Sequence, residues 1–111
     1  IDFNAIPESV IPNMRGGEKE ARMRMHTDAL CKVVQGRLIP GASIGLHTHE
    51  VDSETIYILS GTGKVLYDGA YEPVGPGICH YCPNGHSHSL INDSEEDLVF
   101  FAVIPTHKEV N

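Results

Sequence analysis

The stretch Gly41-Ala42-Ser43-Ile44-Gly45-Leu46-His47-Thr48-His49-Glu50-Val51-Asp52-Ser53-Glu54 decides how this 111-residue chain is read. His47 and His49 are separated by one residue, the spacing that puts both imidazoles on one face of a β-strand with their Cα atoms roughly 7 Å apart. Glu54 follows a short polar turn, and His88 can complete the set from a distant strand. Three neutral imidazoles and one carboxylate form a ligand set suited to one divalent transition metal (Mn, Fe, Ni, Co or Zn). Taken singly, each of these residues reads more readily as a surface group. Their grouping is what carries the signal.

Glycine and proline frame the set. The first block runs Gly41-x5-His47-x-His49-x4-Glu54-x6-Gly61, and the second runs Gly77-x5-Pro83-x-Gly85-x2-His88-x3-Asn92. Position for position, both resemble the two signature motifs of the cupin superfamily, most nearly a small single-domain cupin of the conserved-barrel type. The 15 residues between the blocks suit such a cupin. One position departs from the pattern: Ile78 stands where cupins often carry Asp, a change that bears on a turn and not on a ligand. The resemblance implies a metal held by His47, His49, Glu54 and His88. Cupins host many chemistries, so it leaves the reaction open.

The strands can be read without that resemblance. Ala21, Met23 and Met25 alternate with Arg22, Arg24 and His26, the period of a half-buried strand. Strand-like segments follow near 32–39, 42–48, 54–60, 63–68, 70–74, 78–82, 87–92 and 98–104, divided by Gly, Pro and Asp. Asp68-Gly69 is a two-residue hairpin turn. Short strands at this spacing predict an all-β sandwich or barrel, which the resemblance narrows to a small jelly-roll barrel. The expected organisation is one domain over 1–111, with the barrel over roughly 18–105. Residues 1–17 should form an N-terminal arm, extended or irregular, that packs on the body or on a partner subunit.

Strand parity sorts the neighbours of the ligands. With His47 and His49 inward, Ser43 and Gly45 should share the inward face, and Ile44 and Leu46 should face out. Ile56 and Ile58 should accompany Glu54, leaving Tyr57 and Leu59 outside. Leu90 and Asn92 should accompany His88. The outward apolar residues need a cover, from the arm or a second subunit, and the resemblance implies a homodimer.

Composition bounds the function. A net charge of −7 argues against nucleic acid as a partner, because its binders present basic patches. No apolar run approaches the ~20 residues of a membrane span, and no signal peptide is evident. The three cysteines are odd in number and sparse, which points to a reducing, cytoplasmic setting. Cys79 and Cys82, three apart in a strand-like segment, should face opposite ways and read as structural.

The remaining polar residues divide as follows. Glu50 and Asp52 read as solvating the loop between the ligands, and His86 as a solvated turn residue. Arg22 and Arg24 read as a polar strand face, and Glu95, Glu96 and Asp97 as a solvated turn. His26 and His107 show no partner in the sequence. His86, Glu50, Asp52 and Tyr81 are the candidates for a general acid or base. The resemblance and the complete ligand set favour a metal-dependent enzyme (dioxygenase, decarboxylase, isomerase or lyase) acting on a small polar molecule. The alternative is a non-catalytic small-molecule or metal-binding sensor, motivated by the absence of a lid or long insertion.

Overall fold

The computed structural model describes residues 1–107, and it is built almost entirely of antiparallel strands. They are β1 Ser9–Pro12, β2 Glu20–Thr27, β3 Cys31–Leu38, β4 His47–Thr48, β5 Glu54–Ser60, β6 Gly63–Tyr67, β7 Ala70–Val74, β8 Cys79–Cys82, β9 Ser87–Ile91 and β10 Leu98–Pro105. Six strands form one sheet in the order β1-β2-β3-β10-β5-β8, and four form the other in the order β4-β9-β6-β7. The two sheets close around a shared core as a jelly-roll barrel. Among the described residues, no helix is long and apolar enough to cross a membrane.

Alternation explains the large sheet. On β10, Leu98, Phe100 and Ala102 are buried and pair with Leu38, Gly36 and Val34 of β3. Burying a Phe side chain contributes roughly 1.5–3 kcal/mol. The Phe100 ring lies over Gly36, where an added Cβ would come 2.5 Å from its Cζ. A side chain at position 36 would therefore push that ring out of the core. Ala21 and Met23 are buried from β2, as are Ile56 and Ile58 from β5, while Tyr57 and Leu59 are exposed as parity predicts. The β6–β7 hairpin turns at Asp68 (φ 48°) and Gly69 (φ 81°), both left-handed, the geometry that Asp-Gly favours.

The N-terminal segment is extended after a 3-10 turn at Phe3–Ala5: β1 pairs with β2 and adds an edge strand to the large sheet. Arg24 donates to the Phe3 carbonyl at 3.2 Å, and Phe3 meets Phe101 edge-on with ring centroids 6.3 Å apart. The arm thus lies on the outer face of that sheet, while Leu46, Tyr57 and Leu59 are exposed.

One expectation is corrected at 42–48, of which only His47–Thr48 is regular strand. The Ile44 N–H donates to Leu90 O, whereas the next N–H, of Gly45, donates to Met14 O in a different part of the chain. That change of partner breaks the two-residue period. Ile44, expected outside, is 5 % exposed and belongs to the core. Gly45, expected on the cavity wall, instead packs against the backbone of Arg15.

Candidate metal centre

The four predicted ligands meet at one end of the barrel. His47 and His88 are direct cross-strand partners of β4 and β9, so their side chains share a face. His49 follows β4, and Glu54 opens β5 opposite Cys82 of β8. The connecting loop is pinned rather than free. Asn84 donates its side-chain amide to the carbonyls of His49, Glu50 and Asp52 at 3.1, 3.0 and 2.9 Å. The His49 N–H donates to His86 O at 3.0 Å, and the Gly85 N–H to His49 O at 2.7 Å. Gly85 sits at φ 87°, which its lack of a Cβ permits.

The resulting geometry is tight. One ligand atom from each of His47, His49, Glu54 and His88 lies within 4.8 Å of all the others. The imidazole centroids are 5.0 Å apart for His47–His49 and 4.8 Å for both pairs with His88. His49 Nε2 stands 2.9 Å from His88 Nε2, and Glu54 Oε1 stands 3.1 and 2.9 Å from these two atoms. His49, Glu54 and His88 are buried.

Each imidazole uses its other nitrogen to fix its orientation. His47 Nδ1 donates to Gly45 O at 2.7 Å, His49 Nδ1 to Asp52 Oδ1 at 2.6 Å, and His88 Nδ1 to His80 Nε2 at 3.0 Å. In that arrangement the Nε2 atoms of His49 and His88 turn lone pairs toward each other at 2.9 Å, which is repulsive unless a proton or cation lies between. Nitrogen and carboxylate donors so arranged fit a divalent transition ion.

The electrostatics of the cluster point the same way. Burial opposes ionisation of Glu54, but its contacts with His49 and His88 outweigh it and hold the carboxyl down at about 2. The Glu54 hydrogen bond raises His49 despite burial, with Asp52 adding to the effect. Burial lowers His47, and burial together with neighbouring His88 lowers His80 to about 4. His80 is therefore neutral at ordinary pH and able to accept from His88.

Comparison with known proteins agrees with this geometry. The cupin domain family model matches residues 34–104, well over half of the chain. The chain is a cupin. It is 40% identical over 101 residues to an oxalate-binding protein of Thermotoga maritima, covering 85% of this chain and 83% of that protein. It is also similar to the crystal structure of a predicted oxalate decarboxylase of Thermotoga maritima, with a TM-score of 0.89 and 34% identity over 96% of this chain and 97% of the other. A polyketide cyclase of Streptomyces resistomycificus shares the fold at a TM-score of 0.78 and 22% identity, covering 100% of this cupin and 85% of that chain.

Above the ligands this cupin holds a cavity of about 60 Å³, reached by His47, His49, Asp52 and Glu54. Its walls are mostly apolar, from Met23, Met25, Val34, Ile44, Phe100 and Ile104, and its basic side chains are Arg15 and Lys32. Lys32 shares strand parity with Val34 on β3, which brings it to the open end of the barrel.

The other side chains singled out in the sequence fall partly as read and partly not. Asp52 does not merely solvate its loop, because its carboxylate orients His49. His86 stands apart from the four ligands, half-exposed, with Asp68 at 3.0 Å and Tyr67 Oη at 3.4 Å. Tyr81 is exposed on the outer face of β8, and Glu50 is exposed. Arg22 pairs with Glu20, and Arg22 and Arg24 face a separate groove on the large sheet. Asp97 is not simply solvated, since it pairs with Arg37 at 2.8 Å. His26 lies 3.6 Å from Asp28, and His107 lies 2.9 Å from Ser53 Oγ. Cys79 is exposed and Cys82 buried, on opposite faces as expected, and burial pushes the Cys82 thiol up to about 11.

Sequence reading passed over His80 and Arg15. His80 shares inward parity with buried Cys82 on β8, and that alternation was the available signal. Arg15 carries no periodic signal, because it sits in a turn.

Proposed function

We propose that this cupin holds one divalent transition metal through His47, His49, Glu54 and His88 and uses it to capture a small carboxylate, with oxalate the first candidate. When bound, the ion supplies Lewis acidity to a carboxylate oxygen. The chain does the rest. Gly45 O, Asp52 and His80 keep the imidazoles aimed, the methionine and Phe100 walls exclude water, and Arg15 and Lys32 offset anionic charge.

One observation carries the choice of binding over turnover. Among the described residues, the cavity presents no uncommitted carboxyl group: Glu54 belongs to the proposed ligand set, and Asp52 is engaged by His49. The name of the 40%-identical oxalate-binding protein supports the same reading. Decarboxylation is the second reading, favoured by the complete ligand set and by the description of the structural relative. Breaking the C–C bond of oxalate releases CO2 and requires a proton at the remaining carbon. Lys32 is the cavity group that could supply it.

Chelator-stripped protein reloaded with Mn(II), Co(II) or Zn(II) tests both readings. Titration calorimetry should show saturable oxalate binding only in the loaded protein, with oxalate recovered unchanged. Accumulating formate would favour the second reading, and absence of oxalate binding with every ion would overturn both. The homodimer belongs to the same proposal, with exposed Tyr57, Leu59 and Tyr81 available for a shared surface. A monomer mass at equilibrium sedimentation would remove it.

A further inference from the structure

Arg15 occupies an unusual position. Its backbone is left-handed (φ 56°, ψ 28°), a conformation that costs a non-glycine residue roughly 1–2 kcal/mol, and Gly16 follows at φ 81°. The turn is fastened to the ligand-bearing segment. The Gly45 N–H donates to Met14 O at 2.9 Å, and a Cβ on Gly45 would stand 2.1 Å from Arg15 O. The carbonyl of the same Gly45 accepts from His47 Nδ1. One glycine therefore sets both the orientation of His47 and the placement of Arg15.

The charge of Arg15 is also unspent. Arg37 pairs with Glu8 and Asp97, Arg22 pairs with Glu20, and Arg24 donates to Phe3 O. Among the described residues, neither Arg15 nor Lys32 forms an ion pair, and both face the cavity that His47, His49 and Glu54 reach. Both are exposed, and they bring two cations without an acidic partner to one cavity in a chain of net charge −7. A cavity of about 60 Å³ holds about two waters at ~30 Å³ each, so it admits only a small ligand.

We propose that Arg15 selects dicarboxylates over monocarboxylates, its guanidinium taking the carboxylate that lies away from the ligand quartet. This rests on the carboxylate-binding reading above. A planar guanidinium donates to two carboxylate oxygens at once, so the second carboxylate of a diacid gains a fork-to-fork pair that a monoacid cannot form. Lys32 adds charge without that geometry.

The test compares oxalate with glycolate, which offers one carboxylate, by titration calorimetry on Mn(II)-loaded wild type, Arg15→Asn, Arg15→Gly and Arg15→Lys. Asparagine tolerates the left-handed backbone and glycine adopts it freely, so one of the two preserves the turn. The oxalate-to-glycolate affinity ratio should fall roughly ten- to hundred-fold in both, the range expected for a charge-assisted pair. Lysine should restore part of it. Mn(II) affinity should not change, nor should the ratio in Arg22→Gln, which lies outside the cavity. An unchanged ratio in Arg15→Asn and Arg15→Gly, with Mn(II) still bound, would overturn the assignment while leaving the carboxylate reading intact. Wild type that binds neither acid would remove both.

Discussion

Replacing His80 by Phe isolates the contribution of one hydrogen bond to the centre. His88 is 1 % exposed, and its Nδ1 has His80 Nε2 as partner at 3.0 Å. Phenylalanine keeps an aromatic ring where His80 stacks on His88 (centroids 5.1 Å, planes 29° apart) and meets Tyr67 edge-on. It removes only the acceptor. Stranding a buried N–H costs about 1–3 kcal/mol, and loss of the group that orients a metal-binding imidazole typically weakens the metal ~10–100-fold. Chelator competition with Co(II) or Zn(II) reads the second effect, and urea unfolding of stripped protein at pH 7.5 reads the first. The same variant carries a pH signature. The folded pKa of His80, about 4, lies below its ordinary 6.5. Its contribution is therefore complete above pH 6.5 and is lost as the pH falls toward 4, to a maximum of about 3 kcal/mol. His80→Phe should lack this limb of the acid profile. A variant with wild-type metal affinity, wild-type stability and the same acid profile would show that the contact does no work.

The remaining predictions concern the surroundings of the site. Gly45→Ala forces a Cβ against Arg15 O and should cost about 1–3 kcal/mol in urea unfolding while weakening metal binding, because the acceptor of His47 moves. Equal metal affinity in that variant would disconnect the turn from the centre. Asp52→Asn removes the charge paired with His49 Nδ1 and should reduce metal affinity ~10-fold or more by chelator competition. Loading should raise thermal stability: an ion at a hundred times its Kd contributes about 2.7 kcal/mol, or roughly 10–20 °C in Tm for a domain of this size. Calorimetry without such a shift would mean that the four side chains hold no ion. Metal affinity should also fall with acidification, because Glu54 raises the pKa of His49 and the ion must displace that proton.

The pairing of His47 with His49 was legible from strand parity, and the resemblance of the Gly- and Pro-framed blocks to the cupin motifs joined Glu54 and His88 to them. Parity also placed Ile56 and Ile58 inside and Tyr57 and Leu59 outside. It failed at Ile44, where adjacent N–H groups donate to Leu90 and to Met14, a change of partner that no periodicity encodes. β1 was hidden for another reason. It is a short, largely exposed edge strand whose pairing with β2 leaves no apolar alternation. Asp52 and His80 read as ordinary polar residues because their roles consist of contacts across the fold. Arg15 escaped notice because its significance lies in a turn conformation and in the lack of an acidic neighbour, both properties of three-dimensional placement.

The provenance of the four ligands has a mechanical consequence. His47 and His88 belong to the smaller leaf of the sandwich, Glu54 begins a strand of the larger leaf, and His49 lies on the span between them. An ion seated among them would rivet the leaves together at one end only. Its removal should let that rim part while the far end, around Leu38, Val65 and Leu98, stays shut. Amide exchange at the rim would then gauge occupancy.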